Sequence, residues 1–255
     1  MSYSENLFSL CSRQPADRKE RLRLSDEIYE LAFRKSDNLS APELKMIINW
    51  LRKAYDYPDN DRLFEINGHT FQDWFTRKLK TGELEKLRAA HKPCFIASPC
   101  EADLINCGPS SDPVKIKKEL HVIPREQFIR LNLDPDCQVI NFRLRKPHYH
   151  WIHSPCAGSI KILFTFEPGN DDLFGGNSIT GISIGNDLTI LMIGERSVQG
   201  FQTIDDIDGK KVATGDFIGN FNYGSQVLML NYNREHTELM QNPGQRLFIL
   251  DPLMK

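Results

Sequence analysis

Residues 214–232 read TGDFIGNFNYGSQVLMLNY, a glycine-rich stretch followed by a continuous apolar run. The run that starts at Ser225 is short and bounded by turn residues, which predicts a buried β-strand. The glycines and asparagines before it are typical of turns. Taken alone, the Gly224-Ser225 step is an ordinary turn ahead of a strand.

The same texture extends from about Asp61 to the end of the chain. Segments rich in β-branched and aromatic residues alternate with Gly, Pro, Asn and Asp, which predicts strands joined by turns. Further strands are predicted within residues 137–144, 159–166 and 188–193. Residues 167–177 are predicted to form a long, mobile loop.

The first sixty residues carry helical signals instead. Ser40-Ala-Pro-Glu43 is a capping box, which marks the start of a helix. Apolar residues behind it repeat at helical spacing and form one stripe: Leu44, Ile47, Ile48 and Leu51. The two textures together predict an α+β fold, with a helical N-terminal layer (1–60) on a mainly antiparallel β domain (61–255).

Charge and composition exclude several classes of protein. The 255 residues can bury a hydrophobic core, and a formal net charge of −2 gives no concentrated positive field for nucleic acid. The N-terminus lacks a signal-peptide pattern, and no window reaches the roughly 18 apolar residues of a spanning helix. We therefore expect a cytoplasmic protein with at most peripheral membrane contact, whose six cysteines stay reduced.

The basic residues near the N-terminus allow two interpretations. Five cations are interleaved with Leu22 and Leu24: Arg13, Arg18, Lys19, Arg21 and Arg23. They could form a membrane-surface patch, or they could be the solvated side of helices that pack on the rest of the protein. Asp17 and Glu20 dilute the positive charge, which favours packing.

The densest group of chemically active side chains is HYHWIH at residues 148–153. On a strand, His148 and His150 would share one face, and a turn before Ser154 would bring His153 near them. Neutral imidazoles bind metals and also act as acid–base catalysts. A metal site, an acid–base site and a surface strand that happens to carry histidines are therefore alternatives at this point. No G-x-S-x-G, GxGxxG or P-loop sequence is present.

Five short motifs, in their order along the chain, resemble those of the phosphatidylserine decarboxylase family. The most specific is LRKPHYHWIHSPCAG (144–158), which is similar to the family's L-x-P-x-DYHRxHxPxxG. GDFIGNFNYGS (215–225) resembles GxExGxFxxGST, which carries the family's self-cleavage point. The other three motifs are FQDWFTRKLK (71–80), SPCEADL (98–104) and IGERSVQG (193–200). The resemblance extends roughly over residues 71–232.

This resemblance implies a decarboxylase that makes its own pyruvoyl cofactor by self-cleavage between Gly224 and Ser225. Ser225 would attack the carbonyl of Gly224, and His153 would be the base that takes the serine proton. Glu101 would orient that histidine. The pyruvoyl ketone left at position 225 would form a Schiff base with the substrate amine and accept electrons as carbon dioxide leaves. His150 would act on the substrate carboxylate or protonate the product.

Three positions depart from the family's motifs. Glu101 replaces an aspartate and is followed by Ala102 instead of glycine, so the carboxylate lies about one bond length further out. Asp103 is the alternative carboxylate. Gln226 replaces the threonine after the cleavage serine, and His148 replaces the aspartate before the Tyr-His pair. These substitutions motivate a second hypothesis, a family member that does not cleave itself and acts by binding a ligand or partner.

The resemblance implies two substrate classes, phosphatidylserine (which gives phosphatidylethanolamine) and a free amino acid. The Cys100-Glu101 pair is similar to the soluble tryptophan decarboxylases of the family, which favours a small amine-bearing substrate. A third hypothesis is a metal protein with three histidine ligands: His148, His150 and His153. Homo-oligomeric assembly is compatible with all three hypotheses.

Overall fold

The computed structural model describes residues 3–34, 39–116, 119–121, 123, 125–167, 169, 176–194, 200–222 and 225–255. The chain forms two units: Met1–Lys80 with Arg145–Tyr149, and Thr81–Leu144 with His150–Lys255. The residues of each unit pack mainly against other residues of the same unit. The predicted domains, 1–60 and 61–255, stay a prediction.

The first unit is mainly helical. Its helices are α1 (Tyr3–Ser12), α2 (Arg18–Arg34), α3 (Ala41–Ala54), a 3₁₀ turn (Asp61–Leu63) and α4 (Phe71–Phe75). Strands β1 (Phe64–Glu65) and β2 (Lys78–Leu79) form a short antiparallel pair. In this unit, the predicted helix start is confirmed. Ser40 is the N-cap of α3, and the Glu43 carboxylate accepts hydrogen bonds from the Ser40 N–H (2.8 Å) and hydroxyl (2.6 Å).

The predicted apolar stripe faces the interior of this unit, with Ile47, Ile48 and Leu51 buried. Asp17 and Glu20, which dilute the N-terminal positive charge, serve the start of α2. The Glu20 N–H donates to the Asp17 carboxylate (2.8 Å), and the Glu20 carboxylate accepts from the Ala16 N–H (2.7 Å). Carboxylates in the first turn also interact favourably with the helix dipole. Leu24, directly after Arg23, is fully buried, which agrees with the packing interpretation.

Arg77 is a buried charged residue of the first unit. Its side chain is 1% exposed, and the guanidinium lies over the rings of Phe64 (4.7 Å) and Trp74 (4.5 Å). It donates hydrogen bonds to the backbone carbonyls of Pro147 (2.6 Å) and Trp74 (3.0 Å). Arg77 thereby attaches the Arg145–Tyr149 segment to the unit.

The second unit is mainly β. It contains α5 (Thr81–Ala90), β3 (Ile96–Ala97), β4 (Ala102–Pro109), β5 (Val114–Ile116), β6 (Glu119–His121), α6 (Arg125–Arg130), β7 (Gln138–Arg143), β8 (Trp151–His153), β9 (Gly158–Phe166), β10 (Ile179–Ile184), β11 (Leu188–Ile193), β12 (Phe201–Thr203), β13 (Lys211–Val212), β14 (Phe217–Phe221), β15 (Gln226–Asn231), β16 (Arg246–Leu247) and β17 (Pro252–Met254). The predicted strands at residues 137–144, 159–166, 188–193 and 225–232 are all confirmed, as is the α+β fold.

Eight of these strands form one antiparallel sheet, in the order β13-β9-β10-β11-β15-β7-β4-β16. The predicted strand after Ser225 is β15, a central strand paired with β11 and β7 along its whole length. Its six residues are all buried. Val227 and Met229 join a hydrophobic cluster on one face, and Leu228 and Leu230 join another on the opposite face. Burial on both faces explains why the sequence is apolar without alternation.

A second, three-stranded sheet has the order β12-β14-β8. Ile152, Ile218 and Phe221 from its strands belong to the same hydrophobic cluster as Val227 and Met229. The small sheet therefore packs on one face of the large sheet. This packing places β8, which ends at His153, in the unit that contains β15.

One predicted element is wrong, and another lies mostly outside the described residues. His148 and His150 are not on a strand, because residues 146–148 form a turn and β8 begins only at Trp151. The turn is closed by a hydrogen bond from the His148 N–H to the Arg145 carbonyl (2.9 Å), and Pro147 lies within it. Most of the predicted loop at 167–177 falls outside the described residues. Among those described, no helix is long and apolar enough to cross a membrane.

Candidate active site

Ser225 directly precedes the first residue of β15, which is a central strand of the large sheet. The residue is 7% exposed, and its hydroxyl has no hydrogen-bond partner among the described residues. Leaving a buried hydroxyl unpaired costs on the order of 1–3 kcal/mol, so such a group calls for an explanation in function. Gly224, the predicted partner across the cleavage bond, lies outside the described residues.

The first residue of β15 belongs to a buried chain of amides. Gln226 Nε2 donates to Asn141 Oδ1 (2.8 Å), and Asn141 Nδ2 donates to Asn106 Oδ1 (3.1 Å). Gln226 and Asn141 are both buried. A threonine at 226 has no amide group, and its hydroxyl is too close to the backbone to take the place of Gln226 Nε2. The Gln226 side chain therefore links β15 to the neighbouring strand β7.

His153 ends β8 and is fully buried. Its backbone lies opposite Phe217 of β14, and the two rings are 4.5 Å apart. Nδ1 is 2.8 Å from the backbone carbonyl oxygen of Gly215. Because a carbonyl oxygen only accepts hydrogen bonds, this contact requires the proton on Nδ1. The lone pair of the neutral ring is then on Nε2, which is the form that can accept a proton from a hydroxyl.

The loop that carries Glu101 is bonded to the His153 backbone. The His153 N–H donates to the carbonyl of Pro99 (2.8 Å), two residues before Glu101. Ser98 fixes the other side of this loop, since its N–H donates to the Asp251 carbonyl (2.8 Å) and its hydroxyl to the Cys100 carbonyl (2.9 Å). The segments that carry His153 and Glu101 are far apart in sequence and are joined by a backbone hydrogen bond.

Glu101 is 3% exposed and immediately precedes β4. The thiol of Cys100 next to it has a pKa raised first by burial and second by the Glu101 charge. A buried carboxylate is stable only with favourable partners, and the loop that carries Glu101 is bonded to the His153 backbone through Pro99.

Asp103, the alternative carboxylate, is one strand position into the sheet. In β4 it lies opposite Arg143 of β7 and Arg246 of β16. Opposite charges in directly opposed positions stabilise a sheet. Asp103 is therefore a residue of the large sheet, with an arginine opposite it on each neighbouring strand.

The three histidines of the 148–153 segment have different surroundings. His150 is buried, and its carbonyl accepts from the Phe221 N–H (2.9 Å). His148 is in the first unit, where its Nδ1 accepts from the Arg145 N–H (3.0 Å). Within the part of the chain that the structure describes, no group of three His, Cys, Asp or Glu side chains could hold a metal ion. The three-histidine metal hypothesis therefore gains no support.

The glycines of the 193–200 motif allow two backbones to approach closely. A Cβ atom on Gly194 would lie 2.3 Å from the Gly200 Cα and from the Ser178 hydroxyl oxygen. Ser178 bonds both glycines, through its carbonyl to the Gly194 N–H (2.9 Å) and through its hydroxyl to the Gly200 N–H (3.1 Å). Residues 195–199 between them lie outside the described residues. Gly194 follows β11, the neighbour of β15.

Sequence reasoning missed Gly215 as a partner of His153. The two residues are 62 positions apart, and a backbone carbonyl has no side-chain signature. The one available signal is that Gly215 opens the 215–225 motif.

Comparison with known families identifies the class of protein to which this arrangement belongs. The phosphatidylserine decarboxylase family model matches residues 71–249, which is more than half of the chain. The chain therefore belongs to the phosphatidylserine decarboxylase family. In a comparison with curated proteins, none matches the chain. Family membership indicates a decarboxylase, that is a carboxy-lyase, in a family that depends on a pyruvoyl group and has phosphatidylserine as its characteristic substrate.

Proposed function

We propose that this protein is a pyruvoyl-dependent decarboxylase that makes its cofactor from Ser225 by self-cleavage after Gly224. Its substrate would carry an amine next to the carboxylate that is lost, as phosphatidylserine and free amino acids do. The observation that supports this proposal most is the buried Ser225 hydroxyl without a hydrogen-bond partner among the described residues. It belongs to the same unit as His153, whose tautomer is suited to accept a proton.

Self-cleavage begins with an acyl shift. The Ser225 oxygen bonds to the carbonyl carbon of Gly224, and the peptide bond between the two residues breaks to give an ester. The hydroxyl proton passes to a base, a role that Nε2 of His153 would fill, and from there to the nitrogen of residue 225, which leaves as an amine. A serine hydroxyl is a weak nucleophile without such a base.

Glu101 supports this step electrostatically. When His153 accepts the proton it becomes an imidazolium, and the buried carboxylate on the loop bonded to its backbone would stabilise that positive charge. The hydrogen bond between the His153 N–H and the Pro99 carbonyl keeps the two backbones in register during the reaction.

Elimination completes the processing. Removal of the α-proton of residue 225 breaks the Cβ–O bond and releases the Gly224 carboxylate. Addition of water then releases ammonia and leaves a pyruvoyl group at the new N-terminus. The residues present fit a pyruvoyl group at position 225. The next residue, Gln226, is paired with Ile193 on one side and Arg143 on the other, and this pairing holds the new N-terminus in place.

A pyruvoyl group supplies an electron sink for the loss of carbon dioxide from a bound amine. His150 is the residue that we assign to the substrate carboxylate or to protonation of the product, since it is buried and only three positions from His153. An imidazole can both donate and accept a proton, which suits either task.

Intact-mass spectrometry of freshly purified protein tests the proposal, with and without a hydride reductant that traps carbonyl groups. Two fragments are expected, one ending at Gly224 and one starting at position 225 with a reducible ketone. Ser225→Ala is the control and is expected to remain one chain. Release of carbon dioxide from phosphatidylserine vesicles and from free amino acids, tryptophan included, then distinguishes the substrate classes.

A wild-type chain that stays whole on prolonged incubation would contradict self-processing. It would favour a family member that acts by binding, in line with the replacements at positions 101, 148 and 226. A processed protein that releases no carbon dioxide from either substrate class would contradict the proposed reaction.

A further inference from the structure

We propose that Arg88 and Asp216 are positioning residues, which hold the loop whose Gly215 carbonyl selects the proton-accepting tautomer of His153. The inference rests on the proposed function, because it gives His153 the role of base. It concerns residues outside the serine–histidine–glutamate set and makes a separate physical claim about the histidine ring.

The first part of the argument is the geometry of Gly215. Its carbonyl accepts the hydrogen bond from His153 Nδ1 at 2.8 Å. Its φ is +88°, in the region that favours glycine. A Cβ atom at this position would lie 3.2 Å from both methyl groups of Leu250 and from Arg88 Nε. The orientation of this carbonyl therefore depends on a tightly packed glycine in an unusual conformation.

The second part is the backbone connection between this loop and β8. The Ser154 N–H donates to the Asp216 carbonyl (2.7 Å), and the Gly215 N–H donates to the Ser154 carbonyl (2.8 Å). Ser154 directly follows His153. Two reciprocal hydrogen bonds thus tie the loop to the residue next to the histidine.

The third part is the Asp216 side chain. One carboxylate oxygen accepts from the Ala213 N–H (2.8 Å), which closes the loop on itself. The other oxygen is paired with the Arg88 guanidinium, which comes from α5 and is 128 residues away in sequence. Arg88 therefore links the loop to helix α5.

The ion pair is too exposed to be explained as a stabilising element alone. The side chains of Arg88 and Asp216 are 31% and 38% exposed, and pairs of this kind contribute little to folding stability. Its specific effect is on the position of the Gly215 carbonyl. If the loop relaxes, the His153 proton can move to Nε2, and the ring can no longer accept the Ser225 proton there. One lost hydrogen bond of ordinary strength corresponds to a three- to tenfold loss of the competent form.

The test compares Asp216→Ala and Arg88→Met with the wild type in two measurements. The first is the rate of self-cleavage of freshly synthesised full-length chain, followed by intact mass. The second is the ¹⁵N shift of the His153 ring, which reports which nitrogen carries the proton. Lys86→Met is the matched control, since Lys86 is on the same helix in an exposed pair with Glu83 (2.7 Å). Arg88→Lys tests rescue, because it keeps the charge.

Both variants are expected to cleave about three to ten times more slowly, to lose most of the Nδ1-protonated signal in the same proportion and to keep the wild-type melting temperature. Arg88→Lys should recover part of the rate, and Lys86→Met should match the wild type. Wild-type rates and an unchanged ring signal in both variants would overturn the inference, as would a slower rate that follows a lower melting temperature. If the wild type does not cleave, the proposed function fails. The ring signal then still decides the positioning claim.

Discussion

Replacing Arg77 by methionine is expected to destabilise the helical unit far more than an exposed charge change would. Arg77 is 1% exposed and lies over two aromatic rings. Its strongest hydrogen bond, 2.6 Å, is to the carbonyl of Pro147, in the segment that leads to His148. Methionine fills much of the same volume but donates no hydrogen bond and carries no charge.

The expected size of the effect follows from the contacts. Losing a charged donor to a buried carbonyl costs roughly 1.5–3 kcal/mol, and the contacts with the faces of Phe64 and Trp74 add about 1 kcal/mol. Relief from burying a guanidinium offsets part of this sum. We expect a net loss of about 3 kcal/mol, which lowers the melting temperature by about 6–10 °C in a chain of this length.

Chemical denaturation followed by far-ultraviolet circular dichroism measures this difference. Arg18→Met is the control, since Arg18 is exposed at the start of α2, and a change below about 0.5 kcal/mol is expected there. If Arg77→Met unfolds within 0.5 kcal/mol of the wild type, the guanidinium is not what holds the Arg145–Tyr149 segment. The argument from burial and carbonyl contacts would then be wrong.

Three further outcomes follow from contacts in the large sheet. Gln226→Leu is expected to destabilise by about 2 kcal/mol in denaturant titrations, because buried Asn141 loses the donor at 2.8 Å; an unchanged midpoint would contradict this. Gly181→Val would place a Cβ atom 2.5 Å from the Phe164 ring, so we expect a loss of about 2 kcal/mol that the added change Phe164→Ala partly restores. Burial raises the pKa of the Cys100 thiol, so iodoacetamide at pH 8 should label Cys100 only after unfolding. In the unfolded chain this thiol loses its proton at a lower pH than in the folded chain. Ionisation of Cys100 therefore lowers the free energy of unfolding as the pH rises above about 8.5.

The parts of the fold that could be predicted are those that local sequence determines. The Ser40–Glu43 capping contact joins residues three apart, and its pattern is visible in the sequence. The strand after Ser225 was predictable because a central strand buried on both faces needs an unbroken apolar run. Neither prediction required knowledge of the neighbours in space.

The prediction that failed, and the contacts that were not predicted, both involve residues that are distant in sequence. Residues 146–148 form a turn, where a strand was expected because of the alternating histidines. Arg77, about 70 positions earlier, bonds the carbonyl of Pro147 within this turn. Likewise, the partners of His153 and Asp216 come from a glycine carbonyl and a helix that the 148–153 motif does not contain. Motif order predicts the members of the candidate site, and only the fold supplies the atoms that orient them.

The central position of β15 has a consequence for the product of cleavage. A cut before Ser225 would place β15, β16 and β17 on a different polypeptide from the strands they pair with, since β15 is paired on both sides, β16 is paired with β4, and β17 with β3. The short polypeptide would be interwoven with the long one at three places, so the mature enzyme would behave as a single body in native chromatography. Only denaturation would separate the two chains. Mixing separately made pieces should therefore fail to rebuild the enzyme, because the long piece alone would lack the strand at the middle of its sheet.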